Sequence, residues 1–336
     1  MAKALGYNVA ILRQESPDTM KNFSLMIGAV CGCLLAVLPV QAADQDLQVL
    51  ASVHPLGLVA ASVVPEPQLQ VLLPLGMTPH DFSLKPSDIE RIRQADVVLW
   101  SGAVAEPYLS GFVGRWPQQV WIDASAGQQP AADVTHAAAH DDHEHNDHDH
   151  SAHQPDEQHN DHEPAGQEQH AHHHDGFADP HWWLNPQRMI HTQQQLAAAL
   201  QQDASPFAAA VTQQLAASAR VLEPLQDRGF FVFHRAWDHW VEQFGLNQVG
   251  AFTLSPEYKP GARTLQSMRA QLQRGEVVCV FSEPEFSPAL VDAVVKGLAV
   301  KRAELDPLAQ HIPLGADGYV RYLADLTGRF ATCLKP

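Results

Sequence analysis

The sequence predicts an α/β protein of two parallel-sheet lobes joined by a long helix. Three observations carry that reading. Short apolar runs alternate with amphipathic segments over residues 47–123, and the alternation restarts over 229–305. Between them a stretch rich in Ala, Gln and Leu, with no internal Gly, covers about 187–221. Alternation of this kind calls for parallel sheets covered by helices on both faces.

In the first lobe "LQVLAS" (47–52), "LQVLL" (69–73), "DVVLW" (96–100) and "QVWID" (119–123) read as strands. Helices fall at "LGLVAASVV" (56–64) and "SDIERIRQA" (87–95), where Ser87 and Glu90 have the spacing of a capping box. In the second lobe strands are expected at 229–233, 248–254, 277–281 and 299–305. Helices are expected there at 235–244, 262–273, 288–298 and 318–329. Pro206 interrupts the joining helix and predicts a kink near Ser205. The implied boundaries are 43–185 for the N-terminal lobe, 186–222 for the linking helix and 223–336 for the C-terminal lobe.

After Asp123 the composition changes. Residues 124–178 are mostly Ala, Gln, Asp, Glu and His. Such a segment cannot bury enough surface to offset its ordering entropy, so 133–175 is expected to be a disordered loop. The formal net charge is -17, yet twelve Asp and Glu and no Lys or Arg lie between Asp133 and Asp175. The acidity thus describes one segment, and it argues against a nucleic-acid partner.

The first 42 residues read as a signal peptide. Met20-Lys21, an apolar run over 23–40 and "VQAADQD" follow the order of charged region, apolar core and A-x-A-type cleavage site. Cleavage is expected after Ala42, with Met20 an alternative start of translation. A membrane anchor is the alternative, at the short end for a span with about 18 residues. Gly32-Cys33 has the look of a lipid-modification site, but the apolar run continues past it. Cys31 and Cys33 fall in this leader. Cys279 and Cys333 remain, for one disulfide or for two free buried thiols.

Four segments put a metal-capable side chain just after a strand or before a helix, where open α/β sheets bind ligands. They carry His80 in "PLGMTPHDFSLKPSD", His181 in "DPHWWLNP", His234 in "FFVFHRAWDHW" and Asp306 in "AELDPLAQ". Each has an ordinary reading too. Asp306 also fits an Asp that starts a turn before proline. Glu283 is the rival carboxylate, and His239 is expected on a helix face, not at the metal. Opposed lobes would bring the four together. Three imidazoles and a carboxylate make the usual donor number for Zn²⁺, while Mn and Mg prefer oxygen-rich sites.

These segments, with "SPEYKPGARTL" and "VVCVFSEPEF", match in order and spacing the ZnuA family. The chain resembles these zinc-specific solute-binding proteins of bacterial ABC importers over nearly all of its mature length. The resemblance implies two lobes joined by a long rigid helix, with the metal in the cleft between them. It implies a monomer in the periplasm that takes Zn²⁺ and passes it to an ABC permease membrane subunit. The family's histidine ligands fall on His80, His181 and His234, and its carboxylate position falls on Asp306, which in zinc members can yield to water. Manganese-binding relatives have a carboxylate at the His234 position. Pro79 departs from zinc members that carry Glu there. His54 stands where relatives often have Lys and is treated as a non-ligand. The family's disulfide falls on Cys279 and Cys333.

Thirteen of the twenty histidines lie between His136 and His174. His140, His143, His145, His148, His150, His153, His172, His173 and His174 are the expected accessory metal positions. Their irregular spacing specifies no single tetrahedron. Such a loop is expected to bind several ions weakly and to lose them as its histidines protonate near about pH 6.5. Zinc gathering is its expected role, and no enzymatic activity is expected. The alternatives are a manganese or iron carrier of the same fold, or a secreted zinc hydrolase or lyase. The sequence has neither an H-E-x-x-H helix nor a nucleophile elbow for the latter.

Overall fold

The apolar runs in the middle of each lobe become the inner strands of two all-parallel sheets. The structure, a computed structural model, describes residues 47–126, 179–256 and 258–336. The first sheet contains β1 (Val49–Ala51), β2 (Leu69–Val71), β3 (Val97–Trp100) and β4 (Val120–Asp123), in the order β2-β1-β3-β4. The second contains β5 (Phe230–His234), β6 (Gln248–Thr253), β7 (Cys279–Ser282) and β8 (Lys301–Glu304), in the order β6-β5-β7-β8. Every residue of β1, β3 and β5 is buried, as expected of inner strands covered on both faces. Lys301, Arg302 and Glu304 put exposed charge on the edge strand β8, which discourages pairing with another chain. In each sheet the strand order reverses beside the first strand. The crevice outside the carboxyl ends of the strands at that reversal is the ligand position of open α/β sheets.

The helices are α1 (His54–Ala60), α2 (Pro86–Gln94), α3 (Pro186–Ala199), α4 (Ser205–Leu222), α5 (Asp238–Phe244), α6 (Ala262–Arg274), α7 (Ala289–Val295) and α8 (Gly318–Leu334). Three departures from expectation have a local physical cause. Helix α2 starts earlier, and Asp88, not Ser87 with Glu90, closes its first turn by accepting from the Lys85 N–H at 2.9 Å. Helix α5 starts later, because Arg235–Trp237 form a tight turn in which Ala236 N–H donates to the His234 carbonyl. The largest departure concerns residues 186–222, which form two helices instead of one kinked helix. Gln201 turns into the left-handed region at φ 55°, and Gln202 N–H closes the end of α3 on the Ala197 carbonyl. Asp203 then accepts from Ser205 N–H and Oγ, and Pro206 sits in the first turn of α4. A proline is accommodated in a first turn and not in a helix interior, so Pro206 marks a beginning.

Helix α3 packs on α1 and β4, while α4 packs on α8, where Ser218 Oγ and Thr327 Oγ1 share a buried hydrogen bond of 2.6 Å. Helices α1 and α8 also meet. A Cβ on Gly318 would stand 2.8 Å from Leu58 Cδ2, so glycine permits that approach. Hydrogen bonds tie the lobes: Trp183 Nε1 donates to the Pro307 carbonyl at 2.7 Å, and Tyr319 Oη to the Trp183 carbonyl at 2.9 Å. Cys279 and Cys333 form a disulfide that joins β7 to the end of α8. No helix among the described residues is long and apolar enough to cross a membrane. The expected leader at 1–42 and the accessory histidines of 133–175 lie outside the described residues.

Candidate metal centre

His80 lies in the long connection between β2 and α2. Arg91 of α2 pins the start of that connection by donating to the Val71 and Leu72 carbonyls at 2.5 and 3.3 Å. His181 stands at the head of a short 3-10 turn that leads into α3, and His234 is the last residue of β5. The fold brings these three together. His181 Nε2 is 3.4 Å from His80 Nε2 and 3.3 Å from His234 Nε2, and all three nitrogens lie within 4.8 Å of one another.

Each inner histidine is aimed by a carboxylate. His181 Nδ1 sits 2.6 Å from Asp179 Oδ1, and His234 Nδ1 sits 2.6 Å from Glu283 Oε2. With Nδ1 engaged, Nε2 is left to face the cleft, the arrangement typical of metal-binding imidazole. Asp179 does more than orient one ring. Its Oδ2 accepts from Asp238 N–H at 3.1 Å and its carbonyl from His239 Nε2 at 3.0 Å, fastening the His181 segment to α5. Burial raises the Asp179 carboxyl, but the charge and hydrogen bonds of His181 outweigh it and hold the group below its usual value. His80 is pushed down to about 3 by burial, then by the charges of His181 and His234. Its neutral ring offers a lone pair at neutral pH.

The three imidazoles line a cavity of about 10 Å³ together with Pro79, Trp183, Glu285 and Phe286. That is room for one water-sized occupant.

Asp306 stands in the turn that follows β8. Its carboxylate is not brought to the three histidines. It accepts instead from Leu308 N–H at 2.9 Å, Gln310 N–H at 2.7 Å and His311 Nδ1 at 3.1 Å. This turn holds Ala309 in the left-handed region at φ 50°, and the carboxylate supplies the donors' acceptor there. These bonds fit the ordinary reading of an Asp that starts a turn before proline. Glu283, the rival, bonds the His234 ring and lines the same cavity. His239 lies on α5 with its ring 4.6 Å from that of Trp182, and His54 Nε2 bonds the Ile312 carbonyl; neither joins the cluster. Asp179 was missed, although an acid two residues before a candidate histidine is a visible signal.

Known proteins share this architecture and sequence. The chain is 33% identical over 331 residues to the High-affinity zinc uptake system protein ZnuA of Yersinia pestis, a match covering 94% of this chain and 99% of the relative. It is 35% identical to the protein of that name from Haemophilus ducreyi, covering 90% and 96%. A crystal structure of ZnuA superposes with a TM-score of 0.63 at 18% identity, covering 86% of this chain and 99% of that one. The laminin binding protein of Streptococcus agalactiae superposes at 0.65 with 18% identity, covering 86% and 100%. At such identities these two structures bear on the fold alone. The family model described as zinc-uptake complex component A, periplasmic, matches residues 49–333, a span that holds both sheets and all three clustered histidines. On that match and those relatives, the chain belongs to the ZnuA family.

Proposed function

We propose that His80, His181 and His234 bind one Zn²⁺ through their Nε2 atoms, and that the protein captures zinc in the periplasm for delivery to the membrane permease of an ABC importer. The observation that carries this reading is the convergence of three imidazole nitrogens within 4.8 Å, two of them aimed by buried carboxylates. A donor set of three imidazoles suits Zn²⁺ better than Mn²⁺ or Mg²⁺. The relatives named for high-affinity zinc uptake support the same cargo. No reaction is involved. The cavity that the imidazoles line, about 10 Å³, suits a single ion.

In this reading the protein works as a monomer, reaches the periplasm through a signal peptide cleaved after Ala42, and gathers zinc weakly through the histidines of 136–174. Release follows docking on the permease, since an ion closed in a buried cluster dissociates slowly. The test is a titration of chelator-stripped protein with Zn²⁺ in the presence of Mn²⁺. One tight Zn²⁺ per chain, undisturbed by excess Mn²⁺, is expected. Mn²⁺ displacing Zn²⁺ from the tight site would make the protein a manganese carrier and end this reading.

A further inference from the structure

The three histidines leave a four-coordinate zinc one donor short, and Asp306 is engaged elsewhere. One other acidic side chain lines the same cavity without aiming a histidine. Glu285 stands two residues beyond Glu283, in the loop after β7. Its Oε1 accepts from Gln310 Nε2 at 2.6 Å. Its Oε2 is buried and has no hydrogen-bond partner among the described residues. A buried carboxylate oxygen without a donor is costly, so its retention beside a metal-sized cavity asks for a partner the protein does not itself supply.

The division of labour repeats that of the imidazoles. His181 and His234 each spend one ring nitrogen on a supporting carboxylate and keep the other for the cleft. Glu285 likewise spends one oxygen on Gln310 and keeps the other. Gln310 is itself fixed. Its N–H is held by Asp306, and its Oε1 accepts from the Gly76 N–H on the connection that carries His80. The support therefore reaches across both lobes. It also gives Asp306 a part, as the anchor of the turn that presents Gln310.

We propose that Glu285 Oε2 is the fourth ligand of the captured ion, completing a three-nitrogen, one-oxygen tetrahedron. The carboxylate lies outside the 4.8 Å span shared by the three imidazole nitrogens, so it turns about its own side-chain torsions to reach the ion. Glu285 also borders a second, larger pocket formed with Glu304, His311 and Arg329. The fourth ligand is thus the one on the side open to that pocket, and the one that can swing away. The inference rests on the zinc-binding reading above.

The experiment compares the full-length wild type with Glu285→Gln, which keeps an oxygen for Gln310. Zn²⁺ affinity is measured by competition with a chelator. One equivalent of Co²⁺ then serves as a spectroscopic probe of the tight site, with azide added to detect an exchangeable position. Thermal unfolding of the metal-free proteins checks that the variant folds as the wild type does. Glu285→Gln is expected to bind Zn²⁺ about 10- to 100-fold more weakly, and azide to change the Co²⁺ spectrum of the variant but not of the wild type. Unchanged affinity, or the same azide response in both proteins, would overturn the assignment of Glu285 while leaving the zinc site standing. A wild type with no tight Zn²⁺ at all would instead sink the functional reading beneath it.

Discussion

At the reversal point of the first sheet, Glu106 accepts hydrogen bonds from Ser52 Oγ at 2.8 Å, Ser101 N–H at 2.6 Å and Tyr108 Oη at 3.1 Å. At the same point of the second sheet, Glu283 accepts from His234, through its N–H at 3.3 Å and its ring at 2.6 Å. Both carboxylates are buried, and both meet the residue at the carboxyl end of the first strand or just past it. The donors make the difference. Serine and tyrosine hydroxyls satisfy Glu106 within its own lobe and end there. An imidazole satisfies Glu283 with one nitrogen and presents the other to the cleft. One topological position thus serves cohesion in one lobe and the aiming of an imidazole in the other.

The largest way to separate the lobes concerns stability. Among the described residues the one disulfide, Cys279–Cys333, with a sequence separation of 54, lies in the second lobe. Replacing both cysteines by serine should cost about 4 kcal/mol in chemical unfolding and leave zinc affinity unchanged. A parallel loss of zinc affinity would mean that the site leans on the disulfide.

The next effect belongs to Glu106. Burial raises its carboxyl from 4.5 to about 7, against the opposing hydrogen bonds from Ser101, Ser52 and Tyr108. Below pH 4.5 the group is neutral whether folded or unfolded. Between 4.5 and 7 the unfolded chain ionises first, so its contribution to stability is lost as pH rises through that window. Glu106→Gln should remove a loss of up to about 3 kcal/mol, read as a difference in unfolding profiles between wild type and variant from pH 4 to 8. His80, shifted in the opposite direction, acts with the opposite sign and cancels in that difference. Identical profiles would show that Glu106 is not the titrating group. Zinc affinity should be the same in both proteins.

Ligand and orienting residue come next. His234→Ala should weaken Zn²⁺ binding by more than about 100-fold by calorimetry, beyond the range of a supporting contact. Glu283→Gln should weaken it by about 10- to 100-fold, with one tight site retained. Equal losses for the two would erase the distinction between holding the ion and aiming the holder. The smallest effect, less than about 10-fold, is expected of His239→Ala, whose ring bonds the Asp179 carbonyl and lies beside the Trp182 ring.

Strands and the clustered histidines were legible because both are written locally. A run such as "GFFVF" is apolar throughout only when both faces are covered, and a histidine directly after it must emerge at the sheet's end. What escaped depends on hydrogen bonds between side chain and backbone. In "QQDASPF" the Asp before Ser-Pro is a helix start, but the helix-forming residues around it masked the break at Gln201. Asp306 and Glu285 both follow strands and look alike in sequence. Asp306 is short enough to serve its own turn, while Glu285 reaches the cavity, and only the fold distinguishes them. Asp179 stands two residues before His181, and the fold sets its bond to that ring.

The central claim is that His80, His181 and His234, delivered by three separate elements, share one ion. Zinc-edge anomalous diffraction from zinc-loaded crystals tests it most directly. The strongest ordered peak should lie about 2.0–2.1 Å from all three Nε2 atoms. A strongest peak elsewhere, or one that any of the three rings fails to reach, would contradict it.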